Sequence, residues 1–216
     1  MKPLLIFLTV LLGLMLPGCT DDTSHSRAVY MLLDTSGTYT AELEKAQSII
    51  NYLLGTLQPG DSLAVARIDT GSFSEKDIIR KTTFDGRPSM ANEQKRAFRQ
   101  SIDEFIKNVK PSPYTDISGG ILQAVEFLTE TGAGQRKILI YSDMEEELKE
   151  GYIRDFPIQM TNVRVVALNV TKLRQDIIDP RKYMSRLEDW KKRVENGGGQ
   201  WKVVNDLERL EQLLTD

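Results

Sequence analysis

The chain alternates two apolar patterns, short unbroken runs and longer stripes that recur every three or four residues. Residues 28–33 (Ala-Val-Tyr-Met-Leu-Leu) form the first run, which ends at Asp34. Successive side chains of a strand point to opposite faces of its sheet, so an unbroken apolar run predicts a strand buried on both sides. Residues 41–57 read as a helix with Leu43, Ala46, Ile50, Leu53 and Leu54 on one stripe. Pro59-Gly60-Asp61 is a turn signal, residues 63–68 a second strand, and residues 78–84 a third strand that pairs beside it. A helix over 90–109 turns Phe98, Ile102, Phe105 and Ile106 inward and is stopped by Pro111-Ser112-Pro113. Another over 116–130 carries Ile117, Ile121, Val125 and Leu128 on one face. Strands follow at 137–142 and 163–168. Tyr183, Leu187, Trp190 and Val194 then recur at helical spacing before Gly197-Gly198-Gly199. Residues 200–204 are a last strand and 207–214 a last helix.

Strands that alternate with helices imply right-handed crossovers. The expected fold is therefore α/β, a doubly wound, mainly parallel six-stranded sheet with helices on both faces. No internal repeat or low-complexity tract interrupts it, so residues 27–216 are expected to form one domain.

The N-terminus follows a different pattern. Lys2 precedes an almost wholly apolar run over residues 4–16, too short to cross a hydrocarbon core of ~30 Å comfortably. Residues 1–18 thus read as an export signal. Leu16-Pro17-Gly18-Cys19 resembles a bacterial lipobox, which implies cleavage before Cys19 and lipidation of that residue; Pro17 departs from the pattern. The plainer reading is a cleaved signal that leaves Cys19 as a free thiol. Residues 19–26 are expected to be a tether, and residues 20–26 fully extended reach only about 25 Å. The domain would sit close to a membrane of the cell envelope. Thr20 after Cys19 resembles the pattern of outer-membrane lipoproteins facing the periplasm, if the organism has two membranes.

Composition narrows the chemistry. The 216 residues are 40% hydrophobic and 27% charged, with a formal net charge of −3, which excludes wholesale disorder and a polytopic membrane protein and gives no reason to expect a nucleic-acid partner. One cysteine excludes an intramolecular disulfide and a multi-cysteine metal site. The one histidine, His25, lies in the tether, so no His-dependent triad is available to the domain.

What remains is oxygen chemistry. In doubly wound sheets, ligands bind beyond the carboxyl ends of the strands. Three loops expected there carry oxygen donors: Asp34-Thr35-Ser36-Gly37-Thr38, Tyr114-Thr115-Asp116 and Ser142-Asp143. Asp34, Ser36 and Thr38 stand at alternate positions, so a loop turning at Gly37 can aim all three at one point. Hydroxyls with a few carboxylates suit a hard cation such as Mg2+.

Asp34-x-Ser36-x-Thr38, Thr115 before a helix and Asp143 after a strand resemble the metal-ion-dependent adhesion site of von Willebrand factor type A domains. Gly60-Asp61-Ser62-Leu63-Ala64-Val65 resembles the segment that enters that family's second strand. The resemblance covers about residues 27–216, with Thr38 standing where the family usually has serine. It implies a Rossmann-like fold with one antiparallel edge strand and no catalytic role. It also implies a metal site of Asp34, Ser36, Thr38, Thr115 and Asp143, holding Mg2+ (or Mn2+ or Ca2+). Ser36, Thr38 and Thr115 would bind through their hydroxyls, Asp34 and Asp143 mainly through water. Neutral direct ligands leave divalent charge uncompensated, so the expected partner is a protein that supplies an Asp or Glu carboxylate.

Each loop also has a plain reading. Asp34, Ser36 and Thr38 can be caps of a strand-to-helix turn, Thr115 or Asp116 a helix cap, and Asp143 with Glu145, Glu146 and Glu147 an acidic helix start. Glu145, Glu146 and Glu147 read as a solvated acidic rim, Lys191-Lys192-Arg193 as a solvated helix face, and Trp190 and Trp201 as packing residues. Asp34-Thr35-Ser36-Gly37-Thr38 also resembles the nucleophile loop of haloacid-dehalogenase-type phosphotransferases. In that reading Asp34 attacks phosphorus, Thr115 binds phosphate and Asp143 holds Mg2+, but Ser36 stands where the general acid is needed. The third possibility is a structural domain of the von Willebrand type with a vestigial metal site.

Overall fold

The computed structural model describes residues 25–37, 42–69, 74–208 and 210–213. The export signal, Cys19 and most of the tether lie outside the described residues. Six strands form one sheet: β1 (Arg27–Leu33), β2 (Ser62–Arg67), β3 (Ile78–Thr83), β4 (Gln135–Tyr141), β5 (Val163–Leu168) and β6 (Gln200–Val204). Their spatial order is β3-β2-β1-β4-β5-β6, and all pairs are parallel except β2 with β3. The helices are α1 (Leu43–Thr56), α2 (Pro88–Asn108), α3 (Ile117–Glu130), α4 (Arg174–Ile178) and α5 (Pro180–Asn196), with short 3-10 turns at Glu75–Asp77 and Leu210–Leu213.

β1 shows why the strands read as unbroken apolar runs. Val29, Met31 and Leu33 face a layer with Ala46, Ile50 and Leu53 of α1 and Phe98 and Ile102 of α2. Ala28, Tyr30 and Leu32 face the opposite layer, with Ile117, Ile121 and Leu128 of α3 and Trp190 and Val194 of α5. Burying each such large side chain stabilises the fold by about 1.5–3 kcal/mol. Chain order runs outward from β1 to β3 and then returns to β4, so the loops after β1 and β4 diverge. That switch point, at the carboxyl ends of two adjacent parallel strands, is where such a sheet opens a crevice.

α3 is pressed tightly on this edge. Its start is capped by the Asp116 carboxylate, which accepts the Gly119 N–H at 2.8 Å. A Cβ on Gly120 would lie 2.7 Å from Cγ2 of Ile68 and 3.0 Å from Cδ2 of Leu32, so glycine is what lets the helix approach. The Asp116 N–H in turn donates to the Ile68 carbonyl at 2.7 Å, tying the loop before α3 to the end of β2.

The expected order of elements is found, with local differences. β4 begins two residues before the apolar run, because Gln135 and Arg136 extend the pairing with β1. Where the leucine pattern predicts a helix over 207–214, the described residues hold only the turn Leu210–Leu213. The Asp206 carboxylate accepts the Glu208 N–H at 3.0 Å, a local turn that competes with helix nucleation in so short a segment. Residues 143–147, whose plain reading is a helix start, form no helix: Met144 has a φ of 67°, and Thr115 and Glu147 exchange backbone hydrogen bonds at 2.8 and 3.0 Å.

Candidate metal centre

Asp34 sits at the end of β1 and is only 1% exposed. Its carboxylate accepts the Ser36 N–H at 2.8 Å, which turns the loop, and the Ser142 hydroxyl at 2.7 Å, which reaches over from the end of β4. Burial raises the Asp34 carboxyl above its ordinary range; these hydrogen bonds oppose the shift, and the charge of Asp69 adds to it. Asp143, one residue beyond Ser142, is 5% exposed and accepts the Glu145 N–H at 2.9 Å. Burial pushes its carboxyl up to about 6, against the Glu145 hydrogen bond and with the charge of Asp34 adding.

An open cleft of about 760 Å³ is lined in part by Ser36, Thr115, Asp143, Glu145 and Glu147, and the buried Asp34 adjoins it through its hydrogen bond from the Ser36 N–H. Of the five residues expected to form a metal site, Ser36, Thr115 and Asp143 therefore line one cleft, Asp34 is buried and bonded to the Ser36 N–H, and Thr38 lies outside the described residues. Three separate loops are knitted together here. The Ser112 N–H donates to the Thr35 carbonyl at 3.1 Å, and the Ser112 hydroxyl donates to the Asp69 carbonyl at 2.6 Å.

The donor chemistry fits a hard divalent cation. Among the described residues no three carboxylate, imidazole or thiol groups are placed to hold a metal ion together, so a site here would draw on the Ser36 and Thr115 hydroxyls beside the Asp143 carboxylate. Oxygen-only ligands of this kind suit Mg2+. Desolvation disfavours charge on Asp34 and Asp143, with the charge of Asp69 adding at the first and that of Asp34 at the second, and a divalent cation in the cleft would offset these effects.

Several residues that shape the site were not singled out from the sequence. Ser142 stands in a strand-end loop, where the sequence alone gives it no role of its own. Ser112 reads in the sequence as part of a proline stop, and the signal that could have found it is that serine hydroxyls in loops bond backbone groups. Arg186 of α5 donates from Nε to the Asp143 carbonyl at 3.0 Å and from Nη2 to Asp176 at 2.6 Å, with its side chain 8% exposed. Its place could not be read from a helix pattern, because its partners lie in segments without periodicity.

The charged stretches also differ from their expected roles. Lys191 and Lys192 are exposed, but Arg193 is half-buried: it stacks 5.3 Å over the Trp190 ring and donates to the Ser118 hydroxyl at 2.7 Å and to the Arg154 carbonyl. Glu146 is no free rim residue, since it accepts the Ser118 N–H in the first turn of α3 at 2.7 Å. Asp116, already the cap of α3, is also gripped by the Arg154 guanidinium at 2.7 Å. Trp190 is buried, with its Nε1–H donating to the Met144 carbonyl at 2.9 Å.

No protein-family model and no curated protein matches the sequence. Solved structures do. A von Willebrand factor type A protein from Catenulispora acidiphila is 13% identical, with a TM-score of 0.53 over 87% of this chain and 40% of that one. The conserved hypothetical protein BatB from Bacteroides thetaiotaomicron is 15% identical, with a TM-score of 0.50 over 87% of this chain and 95% of its own. At such identities the likeness concerns the fold, and the chain spans well under two thirds of the Catenulispora protein. The domain has the fold of von Willebrand factor type A domains, a mostly parallel six-stranded sheet with one antiparallel edge strand.

Proposed function

We propose that this domain of the von Willebrand factor type A fold is a divalent-cation-dependent protein-binding module of the cell envelope, and not an enzyme. The observation that carries this reading is the meeting of Ser36, Thr115 and Asp143, from three different loops, in one cleft beside the buried Asp34 carboxylate that binds the Ser36 N–H. Ser36 and Thr115, with Thr38, would hold Mg2+ through hydroxyl oxygens, and Asp34 and Asp143 would hold it mainly through water. A cation so held supplies an open coordination position that favours an incoming carboxylate. The chain's own part is orientation. The Ser36 N–H and the Ser142 hydroxyl fix the Asp34 carboxylate, and the Glu145 N–H fixes that of Asp143.

The phosphotransferase reading fares worse on the same residues. A nucleophilic carboxylate must reach phosphorus, whereas Asp34 is buried and its two oxygens accept hydrogen bonds from Ser36 and Ser142. The residue two positions on is Ser36, which offers no acid of suitable pKa.

The envelope location rests on the N-terminal sequence, with Cys19 as the site of lipid attachment and a protein carrying an exposed Asp or Glu as the partner. The test is titration calorimetry with Mg2+ and Mn2+ on wild type and Asp34→Ala. Binding is expected in the wild type and lost in the variant. No binding, or equal binding, would falsify the cation reading and leave a structural domain with a vestigial site. Turnover of a phosphomonoester that disappears in Asp34→Asn would overturn the non-enzymatic reading.

A further inference from the structure

We infer that the surface formed by α4 and the start of α5 continues the metal cleft as a docking platform for an acidic protein segment that carries bulky apolar side chains. This inference rests on reading the cleft as the partner-binding site. Ile177 and Ile178 are 74% and 84% exposed, and Met184 is 64% exposed, three large apolar side chains turned to solvent within eight positions of the chain. Exposed apolar residues scattered singly need no explanation, but a cluster of this kind marks an interaction surface.

The cluster adjoins the cleft directly. Leu173, Arg174 and Gln175, at the start of the same short helix, line the cleft together with Ser36, Thr115 and Asp143. The platform is also held in place from within. Arg186 binds Asp176 at 2.6 Å, and the Asp176 carboxylate accepts the Leu173 N–H at 2.8 Å, so α4 is locked to α5 by a buried ion pair.

Charge selects the partner. Lys172, Arg174 and Lys182 are exposed around the isoleucines. The two carboxylates of the stretch are engaged internally, Asp176 with Arg186 and Asp179 with Arg181. The chain as a whole carries a net charge of −3, so this basic, apolar patch departs from its average surface. It complements a segment whose carboxylates flank apolar side chains, and one such carboxylate would complete the coordination of a cation held beside Asp143 and Glu147 in the adjoining cleft.

Topology favours a protein over a lipid surface. The domain begins with Arg27 at the amino end of β1, whereas α4 follows the carboxyl end of β5, which runs in the same direction. Strands of this length span about 20 Å. The platform therefore lies at the end of the sheet opposite Arg27, away from the side on which the proposed lipid at Cys19 would attach. A second copy of this chain is a poor occupant, because two like basic rims repel.

The test is a random-peptide phage library panned on the full purified chain in Mg2+. Enriched peptides are expected to combine carboxylates with at least two bulky apolar residues. A synthetic copy is expected to lose about tenfold or more in affinity on the Ile177→Asp/Ile178→Asp double variant, and a similar factor on Lys172→Glu/Arg174→Glu. The substituted side chains are exposed, so the melting temperature is expected to stay near that of wild type. Absence of such peptides, or equal binding to both double variants, overturns the platform. EDTA and Asp34→Ala judge the cleft separately. Loss there without loss in the isoleucine variant overturns the platform and leaves the cation. Loss in the isoleucine variant with indifference to EDTA upholds the platform and overturns the cation. Isoleucine-dependent binding of wild type to phosphatidylcholine–phosphatidylglycerol vesicles overturns the protein partner.

Discussion

Ser142 donates its hydroxyl hydrogen to the Asp34 carboxylate at 2.7 Å, joining the ends of two adjacent parallel strands whose residues are 108 positions apart in the chain. The contact is buried, and the Ser142 hydroxyl also accepts the Met144 N–H at 3.0 Å, so the serine links the Asp34 carboxylate to the loop after β4. Ser142→Ala removes the donor and leaves the carboxylate to its bond with the Ser36 N–H. The expected cost is about 1–3 kcal/mol in denaturant unfolding. Mg2+ affinity is expected to fall about 10–100-fold, as it does when an outer partner of a metal ligand is lost. Calorimetry that finds unchanged Mg2+ affinity in this variant would remove Ser142 from the site.

Thr115 separates metal binding from stability. Its backbone is paired with Glu147, and its buried side chain lines the cleft. Thr115→Val keeps the shape and the backbone pairing but deletes the hydroxyl. Unfolding free energy is expected to fall by no more than the about 1–3 kcal/mol of a lost hydrogen bond, whereas Mg2+ affinity drops at least about tenfold. Equal affinity in calorimetry would show that the hydroxyl is no ligand.

Two glycines make opposite predictions. Gly120→Ala forces a Cβ to 2.7 Å from Ile68, and its expected cost is about 1–3 kcal/mol as α3 shifts from the sheet. Gly55, exposed near the end of α1, has nothing within 4 Å of an added Cβ. Gly55→Ala is expected to stabilise the domain by about 0.4–1 kcal/mol. Thermal melts of both variants check the pair, and a stabilised Gly120→Ala would refute the close approach of α3.

The Arg186–Asp176 pair should govern behaviour in acid. Its hydrogen bonds from Arg186 hold the Asp176 carboxyl below the ordinary range. A depressed carboxyl contributes stability that is fully present above its unfolded value of about 3.9 and is lost as pH falls through the folded value. Wild type is therefore expected to lose stability below about pH 4 more steeply than Asp176→Asn in urea unfolding measured against pH. Arg186→Ala, which strands a buried carboxylate, is expected to cost about 3–5 kcal/mol near neutral pH. Matching pH profiles for wild type and Asp176→Asn would contradict this assignment.

The legible parts of the molecule are those written in periodicity. Val29, Met31 and Leu33 alternate with Ala28, Tyr30 and Leu32, and both sets are buried because helices cover both faces of the sheet. A run of that kind identifies a strand without naming its neighbours. Asp34, Ser36, Thr115 and Asp143 could be nominated as a group, since strand ends and loop chemistry are local properties. Their convergence in one cleft required β1 and β4 to lie side by side.

By itself the sequence determined the strands, the main helices, the mainly parallel α/β class and an oxygen-only candidate site, because burial on two faces and turn chemistry leave marks in neighbouring residues. Tertiary structure decided the partners of long polar side chains. Arg193 sits in a run that reads as a solvated face, yet it lies against Trp190, Ser118 and Glu146. Arg186 reads as one more helix cation, yet it is buried between Asp176, Glu145 and the Asp143 carbonyl. A guanidinium on a flexible stem can reach many partners, and which of them it meets is set by how segments without periodicity fold back over the helix that carries it.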